Sequence, residues 1–309
     1  MDDMKIATHH DADGISSAVL YALYLREKGE RFEITYPEFG EINDEDVCLD
    51  MCPINAQWKG KCIDHHDNHP AERGYELVWE NNPTSLIVYK MFRDIIPQEH
   101  WWKVVVGVVG DGEANKIPAE IWELHPELLE EIGYIKATTQ NLWSLPLYNL
   151  LSSPINASCR IGAPELAFAT LLVAEKPQDV IENADLKRAQ EEVRKEEDRI
   201  FKLADEGMKP VVIGPFVFWV FESKFRMGGI LAIKLAEMTR KTAIVYNTQS
   251  RTGSIRGDLA SYVVSRMNGK NGIKAGGHPG FAGFRVIGSD EIDVERIIRE
   301  VTKELWKNL

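Results

Sequence analysis

The stretch Ile63-Asp64-His65-His66-Asp67-Asn68-His69 places a carboxylate and two adjacent imidazoles directly after the short run Lys61–Ile63. Upstream, His9-His10-Asp11-Ala12-Asp13-Gly14 repeats the arrangement after Met4–Thr8. Five of the eight histidines fall in these two clusters, a concentration that points to a metal site rather than to a surface accident.

Around the clusters the pattern reads as alternating strands and helices. Met4–Thr8, Phe32–Tyr36, Val47–Met51 and Lys61–Ile63 are expected strands, and Ile15–Arg26 has helical periodicity. Strands separated by helices or short loops predict a parallel sheet, whose ligands collect outside the carboxyl ends of the strands. His9, His10, Asp11 and Asp13 would then share one rim with Asp50 and with Asp64, His65 and His66. Further helices are expected at Leu86–Ile95, Ile117–Ile132 and Pro164–Ala174, and the dense apolar run Trp101–Val109 ends at Gly110-Asp111-Gly112. Asp185–Ala204 is a charged connecting helix.

The pattern resets after Gly207. Pro210–Phe221 is strand-like, Gly228–Thr239 helical, Ala243–Tyr246 and Thr252–Arg256 strands, Leu259–Met267 a helix, Phe281–Val286 a strand and Ile292–Leu305 an amphipathic helix. The expected fold class is α/β. A parallel-sheet domain over residues 1–180 and a smaller α/β domain over 208–309 are joined by a helical linker, 181–207.

Length and composition set bounds. The chain has 309 residues, 44% apolar and 27% charged, which predicts a packed core. No apolar run reaches the roughly 18 residues of a membrane span, and Met1-Asp2-Asp3 does not open a secretory leader. Four cysteines do not make a disulfide framework, so a reducing cytoplasm is expected. The net charge of −12 disfavours a protein that coats duplex DNA, because phosphate neutralisation supplies most non-specific affinity. It leaves room for a nuclease that takes a single strand into a metal-loaded cleft.

Divalent metals at a phosphoryl-transfer site want oxygen ligands, with imidazole added where the metal is manganese-like. Two metals about 3.5–4 Å apart clamp the attacking and leaving oxygens of an in-line displacement. Asp11 and Asp13, two apart on a loop, suit different metals, with Gly14 allowing the turn into the helix. Asp50 suits a bridging ligand, while His65 and Asp111 could complete one shell and leave His66 for phosphate. Each residue also has an ordinary reading. Asp11 and Asp13 could cap the following helix, Asp111 could be a turn residue, and either histidine could be a satisfied core group. Asp50 resists such a reading, because a buried unpaired carboxylate is costly. Cys48, Cys52 and Cys62 lack a clear fourth zinc ligand and read as core thiols, and Trp101-Trp102 reads as core packing. Phe225-Arg226-Met227 is a candidate single-strand contact.

The set Asp11-x-Asp13-Gly14, Asp50, Asp64-His65-His66 and Gly110-Asp111-Gly112 resembles, in order and spacing, the four motifs of the DHH phosphoesterase superfamily. That superfamily includes RecJ exonucleases, oligoribonucleases and pAp phosphatases, cyclic-dinucleotide phosphodiesterases and family II pyrophosphatases. The resemblance implies that Asp11 and Asp50 hold one Mn2+ ion, and that Asp13, Asp50, His65 and Asp111 hold a second. His66 would stand near the scissile phosphate, and a water between the two ions would be the nucleophile. Asp64 is expected to orient an imidazole, with Asp67 and His69 outside the ligand set. Several branches carry a metal-binding histidine four residues before the first aspartate. Ala7 stands there, and His9 is the substitute ligand proposed for it.

In the second domain, Thr252-Gly253-Ser254-Ile255-Arg256-Gly257 and the glycine-rich loop Lys274-Ala275-Gly276-Gly277-His278-Pro279-Gly280 resemble the substrate-binding DHHA1 domain. Glycines let backbone N–H groups approach an anion, and Arg256 offers a planar fork for phosphate. Substrate contacts are therefore expected from His66, Ser254, Arg256, Gly276, Gly277 and His278. Likeness to small archaeal RecJ-like chains, which include a Hef-associated nuclease, implies a 3′→5′ exonuclease on single-stranded DNA or RNA. It also implies a Hef-like helicase or replication-fork partner. The alternatives are an oligoribonuclease or pAp phosphatase, a cyclic-dinucleotide phosphodiesterase, or a scaffold with a vestigial site. Mg2+ could replace Mn2+, and a homo-oligomer is compatible with the sequence.

Overall fold

In a computed structural model, residues 3–135, 142–207, 209–270, 272–287 and 293–307 are described. The chain divides into two compact units, residues 1–191 and 192–309.

The first unit is built on short strands that alternate with helices. In chain order they are β1 (Met4–Thr8), α1 (Ala12–Glu27), β2 (Phe32–Thr35), β3 (Val47–Leu49), β4 (Lys61–Asp64), β5 (Glu76–Trp79), α2 (Thr84–Phe92) and α3 (Lys103–Gly110). There follow α4 (Ala119–Leu124), the hairpin strands β6 (Glu131–Ile135) and β7 (Leu142–Pro146), α5 (Ser152–Arg160), α6 (Pro164–Val173) and α7 (Pro177–Glu182). Helix α8 (Ala184–Asp205) crosses from the first unit into the second, the division falling between Glu191 and Glu192.

Strands β1 to β5 form one sheet in the order β2-β1-β3-β4-β5, with every pairing parallel. The three inner strands are apolar along most of their length, as strands covered on both faces must be. Their carboxyl ends lie side by side and carry His9–Asp13, Asp50 and Asp64–His66. Helix α1 is buried around most of its surface and packs against α2, α3 and α6. Ile15, Val19, Leu20, Val104, Val105 and Leu171 belong to the core beneath them.

Two readings of this unit change, and the core reading of Trp101 and Trp102 stands. The helix expected over Ile117–Ile132 is short helical turns and the start of β6, because Pro118 and Pro126 restart the chain. The edge strand β5 lies outside the strands expected from sequence. The stretch Trp101–Val109 becomes helical only from Lys103, with Trp101 and Trp102 in the core.

The second unit adds β8 (Val211–Ile213), β9 (Phe216–Phe221), α9 (Gly228–Thr239), β10 (Thr242–Asn247), β11 (Thr252–Arg256), α10 (Ala260–Met267), β12 (Ile273–His278), β13 (Phe281–Val286) and α11 (Val294–Lys307). Its six-stranded sheet runs β12-β13-β11-β10-β9-β8, antiparallel except between β9 and β10. Phe216, Phe218, Ile244, Val263, Phe284 and Ile298 form its core. Pro210–Phe221 is two strands turned at Gly214, which has φ of 58°. The stretch expected as a glycine-rich loop is strand β12, paired residue for residue with β13. Ile292, the expected start of the last helix, lies outside the described residues.

Lys103 is fully buried on α3, and its Nζ donates to the carbonyl oxygens of Leu172 (3.2 Å) and Ala174 (2.6 Å) and also to that of Leu171. These are the carbonyls that the end of α6 leaves without helical partners. Burial pulls the ammonium down to about 7, against the pull of Asp179. Lys103→Met keeps the stem but leaves the carbonyls without donors. Urea unfolding is expected to show a loss of about 3 kcal/mol, and an unchanged midpoint would refute this role.

Candidate metal centre

The centre is assembled at the carboxyl ends of β1, β3 and β4, with helix N-termini supplying the donors that fix its carboxylates. Asp11 precedes α1 in an extended conformation, and its Oδ1 accepts from Gly14 N at 3.0 Å. Asn156 of α5 fixes the same turn, its Oδ1 accepting from Ala12 N at 3.0 Å. Gly14 is required for space rather than for a special turn, since a Cβ there would lie 2.1 Å from the His9 carbonyl oxygen.

Asp13 points inward and is 1% exposed. Its carboxylate accepts from Thr84 N (2.6 Å), Ser85 N (3.1 Å) and Ser85 Oγ. Helix α2 has no side-chain cap of its own at Pro83, so Asp13, from the first turn of the neighbouring α1, caps it. Gly107 of α3 makes room for this contact, since a Cβ there would lie 2.5 Å from Asp13 Oδ1.

Asp50, 2% exposed, has φ of 60°, a left-handed conformation that a non-glycine residue adopts only when its surroundings enforce it. Its Oδ1 accepts from Thr84 Oγ1 at 3.1 Å and lies 3.3 Å from His65 Nε2. Its Oδ2 lies 3.5 Å from His9 Nδ1, which also approaches Asp11 Oδ2 at 2.8 Å. His65 Nε2 stands 3.5 Å from Asp111 Oδ2, and Asp111 closes α3. Among the described residues four groups have donor atoms within 4.8 Å of one another: His9–Asp11–Asp50, Asp13–His65–Asp111, and two that include Asp64, namely Asp50–Asp64–His65–His66 and Cys62–Asp64–His69. The first two are the donor groups of the candidate centre. Asp50 touches both, one oxygen toward each.

Asp64 is fully buried and lies beside this pair, in a further group with Asp50, His65 and His66. Its Oδ1 is 2.7 Å from both His65 N and His66 Nδ1, and its Oδ2 is 2.9 Å from His69 Nε2. His69 is held in turn by the Tyr75 hydroxyl at 2.9 Å. Asp64 thus orients His66 and His69 at once. His10 rests against the His9 ring and joins neither donor group.

The electrostatics are those of a site built for cations. Burial, then Asp50, pushes the Asp13 carboxyl up to about 8, and burial with Asp13, Asp50 and Asp11 raises Asp111 well above the carboxylate range. Burial disfavours a charged His65, yet Asp50, Asp13 and Asp111 outweigh it and push the imidazole up to about 10. Burial also opposes ionisation of Asp50, but His65 and His9 hold it well below its ordinary value. The side chains suit divalent cations by chemistry, offering carboxylate oxygens and imidazole nitrogens. They suit them by geometry too, because the His9 Nδ1 contacts lack hydrogen-bond alignment and leave that buried nitrogen for another partner.

In the second unit Ser254 and Arg256 lie two apart on β11, beside the start of α9. A Cβ at Gly228 would come 2.8 Å from Ser254 Oγ, and one at Gly229 would come 3.5 Å from Arg256 Nη2. Arg256 Nη1 donates to the Ile255 and Ala282 carbonyls, and its guanidinium lies 5.1 Å from the Phe281 ring centre. Gly276 and Gly277 pair with Gly283 and Ala282, while the His278 side chain lies outside the described residues. Cys48, Cys52, Cys62 and Cys159 are free thiols, three of them buried.

Thr84, Ser85, Gly107 and His69 are the supporting residues that sequence reasoning did not assign. The available signal was the helix start at Asn82-Pro83-Thr84, which implies N–H groups in need of an acceptor.

No family profile and no curated protein matches the chain. Solved structures do. RecJ of Thermus thermophilus in complex with Mn2+ superposes with a TM-score of 0.67 at 18% identity, covering 98% of this chain and 52% of that one. The chain therefore spans about half the length of that RecJ, which has also been solved with Mg2+. The DHH domain of a protein described as a member of a ribosomal-protein family gives 0.65 at 15% identity, over 99% of this chain and 87% of that one. A pGpG-specific phosphodiesterase from Vibrio cholerae gives 0.50 at 15% identity, over 99% of both chains. The chain has the DHH-domain fold, followed by a second α/β unit as in RecJ.

Two outcomes are expected. A cation must displace the protons that Asp13 and His65 hold near neutral pH, so Mn2+ uptake should release protons. Apparent affinity should rise by about tenfold or more per unit from roughly pH 6 to 8. Calorimetry in buffers of different ionisation enthalpy measures this, and pH-independent binding without proton release would contradict it. Ser85→Ala removes a donor to Asp13 without touching a ligand atom, and Mn2+ affinity should fall by roughly 10–100-fold. Unchanged affinity would show that Ser85 does not position the site.

Proposed function

We propose that the chain is a DHH-superfamily phosphodiesterase that uses two divalent cations, Mn2+ or Mg2+, and degrades single-stranded DNA or RNA from the 3′ end. One observation carries the reading: Asp50 joins His9–Asp11 to Asp13–His65–Asp111 through its two oxygens, at the rim of a sheet with the fold of RecJ. Bound there, the cations would lower the pKa of a water and neutralise phosphate charge. Asp50 would serve both ions, His9 and Asp11 the first, and Asp13, His65 and Asp111 the second. His66, anchored through Nδ1 on Asp64, would turn Nε2 to a phosphate oxygen. Burial lowers the His66 pKa, but Asp64 outweighs burial and raises it. In the second unit, Ser254, Arg256 and the backbone of Gly276 and Gly277 would hold another part of the substrate, together with His278.

In this reading residues 1–180 are the catalytic domain, 181–207 the linker and 208–309 the substrate-binding domain, in a cytoplasmic protein of the archaeal RecJ-like branch. A helicase of the Hef type at a replication fork is the partner it implies, with homo-oligomers admitted. A second reading, a dinucleotide or pAp hydrolase, is favoured by the full-length match to the pGpG-specific phosphodiesterase.

The deciding assay offers end-labelled single-stranded DNA and RNA beside pGpG and pAp, with each metal. Shortening of a 5′-labelled strand to a ladder supports the exonuclease, whereas turnover confined to the small substrates transfers the assignment to the second reading. Asp50→Ala should abolish either activity, and retained hydrolysis would mean that this site is not its source.

A further inference from the structure

We propose that Trp79 is a stacking platform for a substrate base next to the scissile phosphate, so that the site prefers phosphodiesters that carry a base. The inference rests on the phosphodiesterase reading and adds a specificity determinant to it. Trp79 ends β5, the edge strand beyond β4, and is the register partner of Asp64. It therefore stands at the same carboxyl-end rim as the donor groups. Its Nε1 donates to the His66 carbonyl oxygen at 3.1 Å, which pins the indole against the residue assigned to the phosphate. Even so, 44% of the residue is exposed, whereas Trp58, Trp101, Trp102 and Trp219 are all buried.

A tryptophan normally places its large apolar face inside and leaves only its N–H for a polar partner. Here the N–H is satisfied and nearly half of the residue remains in water, with that bond holding one edge of the indole. A phosphate alone has no use for such a surface; a nucleobase does. Because the indole is already oriented, little rotamer freedom is lost when a base settles on it. Stacking is tolerant of base identity, since every base has a π face. Trp79 would thus distinguish nucleotides from base-free esters without choosing among sequences.

The test compares kcat/KM for a single-stranded DNA end with kcat/KM for the same end carrying abasic tetrahydrofuran residues. Wild-type protein should prefer the base-bearing end, and Trp79→Ala should reduce that preference by about tenfold to a hundredfold, with Trp79→Phe retaining part of it. Loss of the bond to the His66 carbonyl alone would slow both substrates alike and leave their ratio unchanged, which would overturn the proposal. Tryptophan emission gives a second readout that needs no catalysis. Added dinucleotide should quench wild type in the presence of Ca2+, and the quench should be absent from Trp79→Phe; equal quenching in both would also overturn it. Absence of hydrolysis on any substrate would count against the phosphodiesterase reading, and the fluorescence comparison would still decide the role of Trp79.

Discussion

The carboxylate of Asp13, buried against the N-terminus of α2, is the contact on which the rest of the first unit depends. One group satisfies the opening N–H groups of a helix that carries no cap of its own, and the Ser85 hydroxyl completes its shell. Because Asp13 sits in the first turn of α1, the bond ties α1 to α2. Because Gly107 leaves the space for it, α3 is drawn in as well. Thr84 extends the network to Asp50 on the neighbouring strand end. Folding energy and site geometry are therefore the same hydrogen bonds, which is how a carboxylate stays buried with only part of its charge matched by protein groups.

The rest of that charge balance explains the division of labour among the aspartates. Asp64 and Asp50 lie at the ends of adjacent strands, and burial opposes the charge of both, yet their partners differ. Asp64 is enclosed by two imidazoles and two backbone N–H groups, a set of donors that makes it a support. Asp50 faces His9, His65 and Thr84 from a left-handed backbone, and each oxygen looks toward a different donor group. The strained φ has a local purpose, turning a strand-end side chain back across the rim. For Asp13 and Asp111, burial and the neighbouring carboxylates outweigh the pull of His65, and both are raised. The proposed divalent cations would balance this excess of negative charge.

Legibility in the sequence followed the length scale of the physics. Four of the five parallel strands are readable as short, largely apolar runs, and β1 spans the expected Met4–Thr8, whereas the edge strand β5 is not readable in this way. Helix α9 matched Gly228–Thr239 for a similar reason, a periodic segment bounded by glycine and a left-handed Arg240. Ile117–Ile132 misled because apolar periodicity continues through Pro118 and Pro126, where the backbone cannot. The glycines of 276–277 suggested a loop, but a strand beside Gly283 needs no side chains to pair. The motif aspartates were legible as a set. Their supports were not, since Thr84 and Ser85 lie about seventy residues from Asp13 and meet it only through the fold.

Net charge gives the arrangement its final constraint. A net charge of −12 supplies no overall attraction for phosphate, so a nucleic-acid substrate would have to be held by local contacts. At the first-unit rim those would be the cations themselves, the His66 imidazole and the indole of Trp79. Each acts over a few ångströms and each engages one nucleotide. A protein that relied on such contacts would bind poorly along a duplex, whose phosphates present themselves as a continuous field. It would bind best where a strand end or a short oligonucleotide can place one phosphate on the donor groups and one base beside them. In the proposed reading, the acidic composition and the short-range chemistry of the rim would therefore favour the same substrates, those with an accessible end.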